Sequence, residues 1–260
     1  MTPLKIGLKF TAFVLLCLII VPPQWLIVTL HKGRFSYILP QLWHKGACAI
    51  FGVKITRKGF PHTASQVLYM SNHVSYLDIP VLGSLIQQAS FVSKNDVASW
   101  PVWGFLSRLQ QTAFISRNRK DTKKEAHSLD AMLEDRKNLV IFPEGTSTDG
   151  MTVKDFKSSL FSLALKDGLE NLVIQPVTIR ILTTNGKEPQ TADERNIYAW
   201  PLELETSLDE HLLGIAGTSG AHVEVTFHDI IRAKDFNDRK TLAKTCHEAV
   251  CSGLEVSKAA

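Results

Sequence analysis

The chain has 260 residues, 45% hydrophobic and 21% charged, with a formal net charge of +4 and a pI near 8.8. That composition excludes a disordered chain and allows one large domain or two small ones. The mild basicity suits an anionic membrane surface, whereas no base-reading motif or dense basic run points to nucleic acid.

Residues 10–30 are almost wholly apolar and uncharged, about the length that crosses a bilayer core. Pro22 and Pro23 interrupt the run, so a kinked transmembrane or half-inserted anchor is expected. A signal peptide and a buried soluble helix are the alternatives, and no A-x-A-like cleavage site follows. Lys5 and Lys9 precede the run while His31, Lys32 and Arg34 follow it, so flanking charge gives no orientation. A re-entrant anchor with both ends on the cytoplasmic side suits that symmetry. Residues 1–45 are read as a membrane-anchoring helical segment and 46–260 as the main domain. A second helical stretch is read from Pro40, then a short strand about residues 53–55 and a turn at Gly59 and Pro61.

Residues 67–70 read as a strand running into Ser71-Asn72-His73, and a helix follows through Leu82, Leu85 and Ile86. Residues 91–94 read as the next strand. Residues 100–105, with two tryptophans and a phenylalanine, suit either core packing or lipid contact. Residues 112–115 form another expected strand, ending in Arg117-Asn118-Arg119-Lys120, and residues 121–135 an exposed helix with Ala126, Leu129 and Leu133 on one face. The run 139–142 has strand length and ends in Pro143-Glu144-Gly145-Thr146-Ser147-Thr148-Asp149-Gly150. Residues 156–165 have helical spacing with Gly168 as their stop. Residues 173–179 read as a strand whose Pro176 demands an edge, a bulge or a close approach. Residues 182–220 show no clear period. Residues 221–227 alternate as a half-buried strand, and 237–254 form an amphipathic closing helix. The fold class expected is α/β: a mixed, mostly parallel sheet flanked by helices, behind the N-terminal anchor.

The chemistry concentrates at His73 and Asp78. A histidine accepts a proton near neutral pH, and an aspartate fixes its tautomer and stabilises the imidazolium. On one helix a five-residue spacing leaves the two side chains about 140° apart. They meet only if His73 lies in the turn before a helix and Asp78 in that helix's first turns. Two buried-strand patterns, each ending in a polar loop, suggest one site at the strand ends of an α/β sheet. Arg117 directly follows a strand, and arginine grips phosphate through a fixed fork of donors.

Asn72-His73-Val74-Ser75-Tyr76-Leu77-Asp78 resembles the NHxxxxD block of the glycerolipid acyltransferases. Phe114-Ile115-Ser116-Arg117 resembles their FIxR block, Phe142-Pro143-Glu144-Gly145-Thr146 their FPEGT block, and Ile174-Gln175-Pro176-Val177 their proline-bearing block. The order agrees, over about residues 67–180. The resemblance implies transfer of an acyl group from acyl-CoA or acyl carrier protein to the free hydroxyl of a lysolipid, with no cofactor and no metal. It implies His73 and Asp78 as catalytic residues, with Asn72, Ser75, Arg117, Glu144, Gly145, Thr146 and Ser147 binding substrate. Arg117 is then the phosphate-binding arginine, and Glu144 orients Arg117 or substrate hydroxyls. The expected location is the cytoplasmic face of the inner membrane.

The commonest activity of that family, conversion of 1-acylglycerol-3-phosphate to phosphatidic acid, is the first expectation. Ser147 departs from it, because many members carry arginine there. Together with Phe156-Lys157-Ser158 and Tyr198-Ala199-Trp200, it resembles the lyso-ornithine lipid acyltransferase branch, the alternative. A non-catalytic lipid-binding protein is a third reading. His247-Glu248 lacks the last histidine of a zinc HExxH, since Cys251 stands there. Cys17, Cys48, Cys246 and Cys251 have no CxxC spacing and read as reduced packing residues of a cytosol-facing protein. No GxSxG elbow or P-loop is present, so Ser75 is a weak rival nucleophile.

Overall fold

The computed structural model describes residues 2–30, 33–115, 129, 131–166, 168–169 and 171–255. Helix α1 (Pro3–Leu30) opens the chain and runs continuously through Pro22 and Pro23. The prolines interrupt the apolar run without ending the helix. Directly after them, the buried Gln24 amide donates to Ser36 O (2.8 Å) and Leu109 O (2.9 Å), pinning α1 to two neighbouring segments. Phe10 and Phe13 pack on Phe51 of α2 (Ile38–Phe51), with ring centroids 6.0 and 5.4 Å apart. Leu8, Val14, Leu15, Leu18, Ile19 and Trp25 stay exposed. Helix α1 is therefore half seated on the domain and half bare, and it is long and apolar enough to cross a membrane.

Gly52, left-handed at φ 76°, ends α2 and turns the chain into β1 (Val53–Lys58). The remaining strands among the described residues are β2 (Val67–Ser71), β3 (Ala89–Lys94), β4 (Ala113–Ile115), β5 (Asn138–Ile141), β6 (Val173–Thr184), β7 (Ala221–Phe227) and β8 (Ile231–Arg232). They form one sheet in the order β1-β7-β6-β2-β5-β3-β4, with β8 also on β6. The pairs β1–β7, β2–β6, β2–β5, β3–β5 and β3–β4 are parallel, and β6 runs antiparallel to β7 and β8. Every residue of central β2 is buried, the mark of a strand covered on both faces.

Pro176 sits where β6 changes partner, between the residues paired to β8 and those paired to β7, so its missing N–H interrupts no continuous ladder on that side. Helices α3 (Asp78–Leu85), α4 (Asn95–Ala98) and α5 (Pro101–Leu109) follow β2 and β3. Within residues 100–105, Trp103 packs against the core, while Val102 is 61% exposed. The helical spacing of residues 156–165 is realised as a 3₁₀ segment, Ser158–Leu165. The aperiodic stretch holds two helices, α6 (Ala192–Arg195) and α7 (Leu208–Ala216), each opened by a capping box. Closing helix α8 (Arg239–Glu255) lies on β6, where Gly253 faces Thr178. The helix read over residues 121–135 falls mostly outside the described residues.

Candidate active site

Strands β2 and β5 are parallel neighbours, so both carry their C-terminal loops to the same end of the sheet. At the end of β2 the Asn72 amide takes the place of another ladder rung. Its Nδ2 donates to Ile179 O (2.9 Å) and its Oδ1 accepts from Ile179 N (2.7 Å). The chain then turns and enters α3 at Asp78, whose charge also suits a helix N-terminus. That geometry joins His73 Nδ1 to Asp78 Oδ2 at 2.8 Å.

Asp78 is wholly buried, and each of its oxygens is engaged. Oδ2 also accepts from Val74 N (2.7 Å) and Ser75 N (2.9 Å), and Oδ1 accepts from Tyr198 Oη (2.9 Å). The Asp78 carboxylate holds the proton of His73 on Nδ1 and leaves Nε2 as the free base. The His73 ring stacks on Phe142, with centroids 4.1 Å and planes 19° apart. Its side chain keeps 22% of its surface exposed, against 0% for Asp78, so the base faces the site while its partner does not.

Glu144 joins the two loops. One carboxylate oxygen accepts from His73 N and the other from Lys154 N, both at 2.7 Å. Burial pushes its pKa up to about 7, against the pull of those two N–H groups. Thr148 N donates to His73 O (2.9 Å), Ser147 Oγ to Trp200 O (2.5 Å), and Trp200 N to Val74 O (2.9 Å). The β2 loop, the β5 loop and the Tyr198–Trp200 segment are thus tied into one rigid rim.

A cavity of about 1040 Å³ opens at this rim. His73, Gly145, Thr146 and Ser147 line it together with apolar side chains such as Phe13 and Trp43. Among the described residues no cluster of His, Cys, Asp or Glu is placed to hold a metal ion. The acyltransferase family model matches residues 53–180. The chain is 34% identical over 257 residues to the lyso-ornithine lipid O-acyltransferase of Brucella abortus, spanning 97% of this chain and 94% of that protein. The chain belongs to the acyltransferase family.

This acyltransferase is also 29% identical over 209 residues to the 1-acyl-sn-glycerol-3-phosphate acyltransferase of Neisseria gonorrhoeae, over 79% of this chain and 76% of that one. Its fold matches the crystal structure of the 1-acyl-sn-glycerophosphate acyltransferase PlsC from Thermotoga maritima. The TM-score is 0.69 over 99% of this chain and 96% of the other, at 18% identity, a likeness of fold.

Within the acyltransferase site, the expected substrate-binding residues divide in two. Gly145, Thr146 and Ser147 line the cavity. Asn72 and Ser75 have no exposed surface, and Glu144 only 4%. None of these three lines the cavity, and their polar atoms hold the turn and the rim. Arg117 lies outside the described residues. Tyr198 was missed by sequence reasoning. It stands in an aperiodic stretch where an aromatic reads as packing, and its one signal is the Tyr198-Ala199-Trp200 triplet.

Proposed function

We propose that this acyltransferase moves a fatty acyl group from an acyl thioester to the free hydroxyl of a lysolipid at the membrane, with a lyso-ornithine lipid as its acceptor. The carrying observation is Ser147. Where a second cation would grip a phosphate, this chain has a hydroxyl that donates to Trp200 O and offers no charge. The near full-length likeness to the Brucella protein supports the same choice, and it reverses the order in which sequence reasoning placed the two acceptors.

In the mechanism, His73 Nε2 takes the acceptor proton as the hydroxyl oxygen attacks the thioester carbonyl. Asp78 keeps the ring oriented and stabilises the imidazolium. The tetrahedral oxyanion needs donors aimed at it, and the backbone N–H groups of Thr146 and Ser147 belong to the loop that lines the cavity beside His73. Collapse expels the thiolate of coenzyme A or acyl carrier protein, which takes the proton back from His73. The donor thioester places the reaction on the cytoplasmic face of the inner membrane.

A second reading, 1-acylglycerol-3-phosphate as acceptor, is favoured by Arg117. Purified protein in detergent, given a labelled acyl thioester and each lysolipid in parallel, decides between them. The proposal expects product from the lyso-ornithine lipid, and product from 1-acylglycerol-3-phosphate alone would overturn it.

A further inference from the structure

We propose that Lys157 anchors the anionic part of the acceptor headgroup, receiving its carboxylate beside His73. This rests on the lysolipid reading above and names the group that site recognises.

The Lys157 stem lies along the Glu144 loop. Its Nζ occupies the space that a Cβ on residue 145 would fill, with Cε 2.8 Å and Cδ 3.3 Å from the same point. Gly145 has φ +71°, a backbone conformation that favours glycine, and the ammonium sits in the space its missing Cβ leaves. The Lys157 backbone is fixed too. Its N–H donates to Pro143 O (2.9 Å), and its carbonyl accepts from Leu160 N (3.0 Å) at the start of the 3₁₀ segment. Neighbouring Phe156 packs on Phe161 and His247.

Among the described residues no carboxylate lies within ion-pair distance of Lys157. Glu144, in the loop along which the lysine stem lies, commits both oxygens to His73 N and Lys154 N. Lys157 lines the same cavity as His73, Thr146 and Ser147. Position 147 offers no cation, and Lys157, ten residues later, brings one to the same cavity. A lysine presents a compact point charge with three donors, which suits one carboxylate, where the fork of an arginine suits phosphate.

The same ammonium would also hold a phosphate monoester, so the test separates the two sources. Acyl transfer is measured in mixed vesicles for wild type, Lys157→Met and Lys157→Arg. The acceptors are lyso-ornithine lipid, its carboxyl methyl ester and 1-acylglycerol-3-phosphate. Wild type is expected to prefer the free acid over the ester by about 10- to 100-fold in kcat/KM, the size of one charge-assisted hydrogen bond. Lys157→Met collapses that preference through KM, and Lys157→Arg restores part of it. Loss confined to 1-acylglycerol-3-phosphate would overturn the carboxylate assignment in favour of phosphate. An active Lys157→Met variant that keeps the free-acid preference, or loses acid and ester equally, would overturn the anchor while leaving the lysolipid reading intact. Wild type inactive on every acceptor would overturn both.

Discussion

Around His73 nearly every polar atom already has a partner, and this makes single substitutions informative. Asp78→Asn removes an acceptor that Val74 N, Ser75 N and His73 Nδ1 share. It should lower kcat by about 10²- to 10⁴-fold, the range of a general base lost or misoriented. Tyr198→Phe leaves Asp78 Oδ1 buried without its donor. Urea unfolding should show a loss of about 1–3 kcal/mol, with a smaller fall in turnover than Asp78→Asn. Glu144 carries a pH signature. Its folded pKa, about 7, lies above the ordinary 4.5, so the folded state holds the proton more tightly. The stability this gives is full below pH 4.5 and is lost as pH rises through 7. Glu144→Gln should flatten that decline between about pH 5 and 7.5 in urea melts, and an unchanged slope would refute the assignment.

At the scale of elements, the strand–turn–helix around His73 was legible because a spacing of five has so few solutions. Adjacent parallel strands with polar ends were legible for the same kind of reason. What the sequence withheld was direction. Asn72, Ser75 and Glu144 are the residue types a substrate site would use, yet their polar atoms face Ile179, Leu77 and two backbone amides. Tyr198 meets a partner 120 positions away, beyond the reach of any local pattern. The capping boxes Thr191/Glu194 and Ser207/Glu210 were readable by their S/T-x-x-E spacing, and they mark helix starts inside the stretch that lacks a period. Two glycines test the packing of helices. A Cβ on Gly253 in α8 would fall 2.6 Å from Thr178 Cβ, so Gly253→Ala should cost about 1–3 kcal/mol. Gly214 in α7 has nothing within 4 Å, and Gly214→Ala should stabilise by about 0.5–1 kcal/mol. Thermal unfolding of the pair reads both signs.

For the whole molecule, α1 links the site to a bare apolar surface. One face carries Phe13 and Ile20 into the wall of the cavity that His73 also lines. The other leaves Leu15, Leu18 and Ile19 bare. Replacing those three by Gln should move the protein from membrane to soluble fractions, because each removes burial worth about 1.5–3 kcal/mol in lipid while sparing the Phe10 and Phe13 contacts with Phe51. The most direct test of the account is single-turnover acyl transfer to lyso-ornithine lipid by wild type and His73→Ala in the same vesicles, with membrane partition measured alongside. The account predicts a fall of at least about 100-fold for the variant, with partition unchanged. Transfer by His73→Ala within a few-fold of wild type would contradict it.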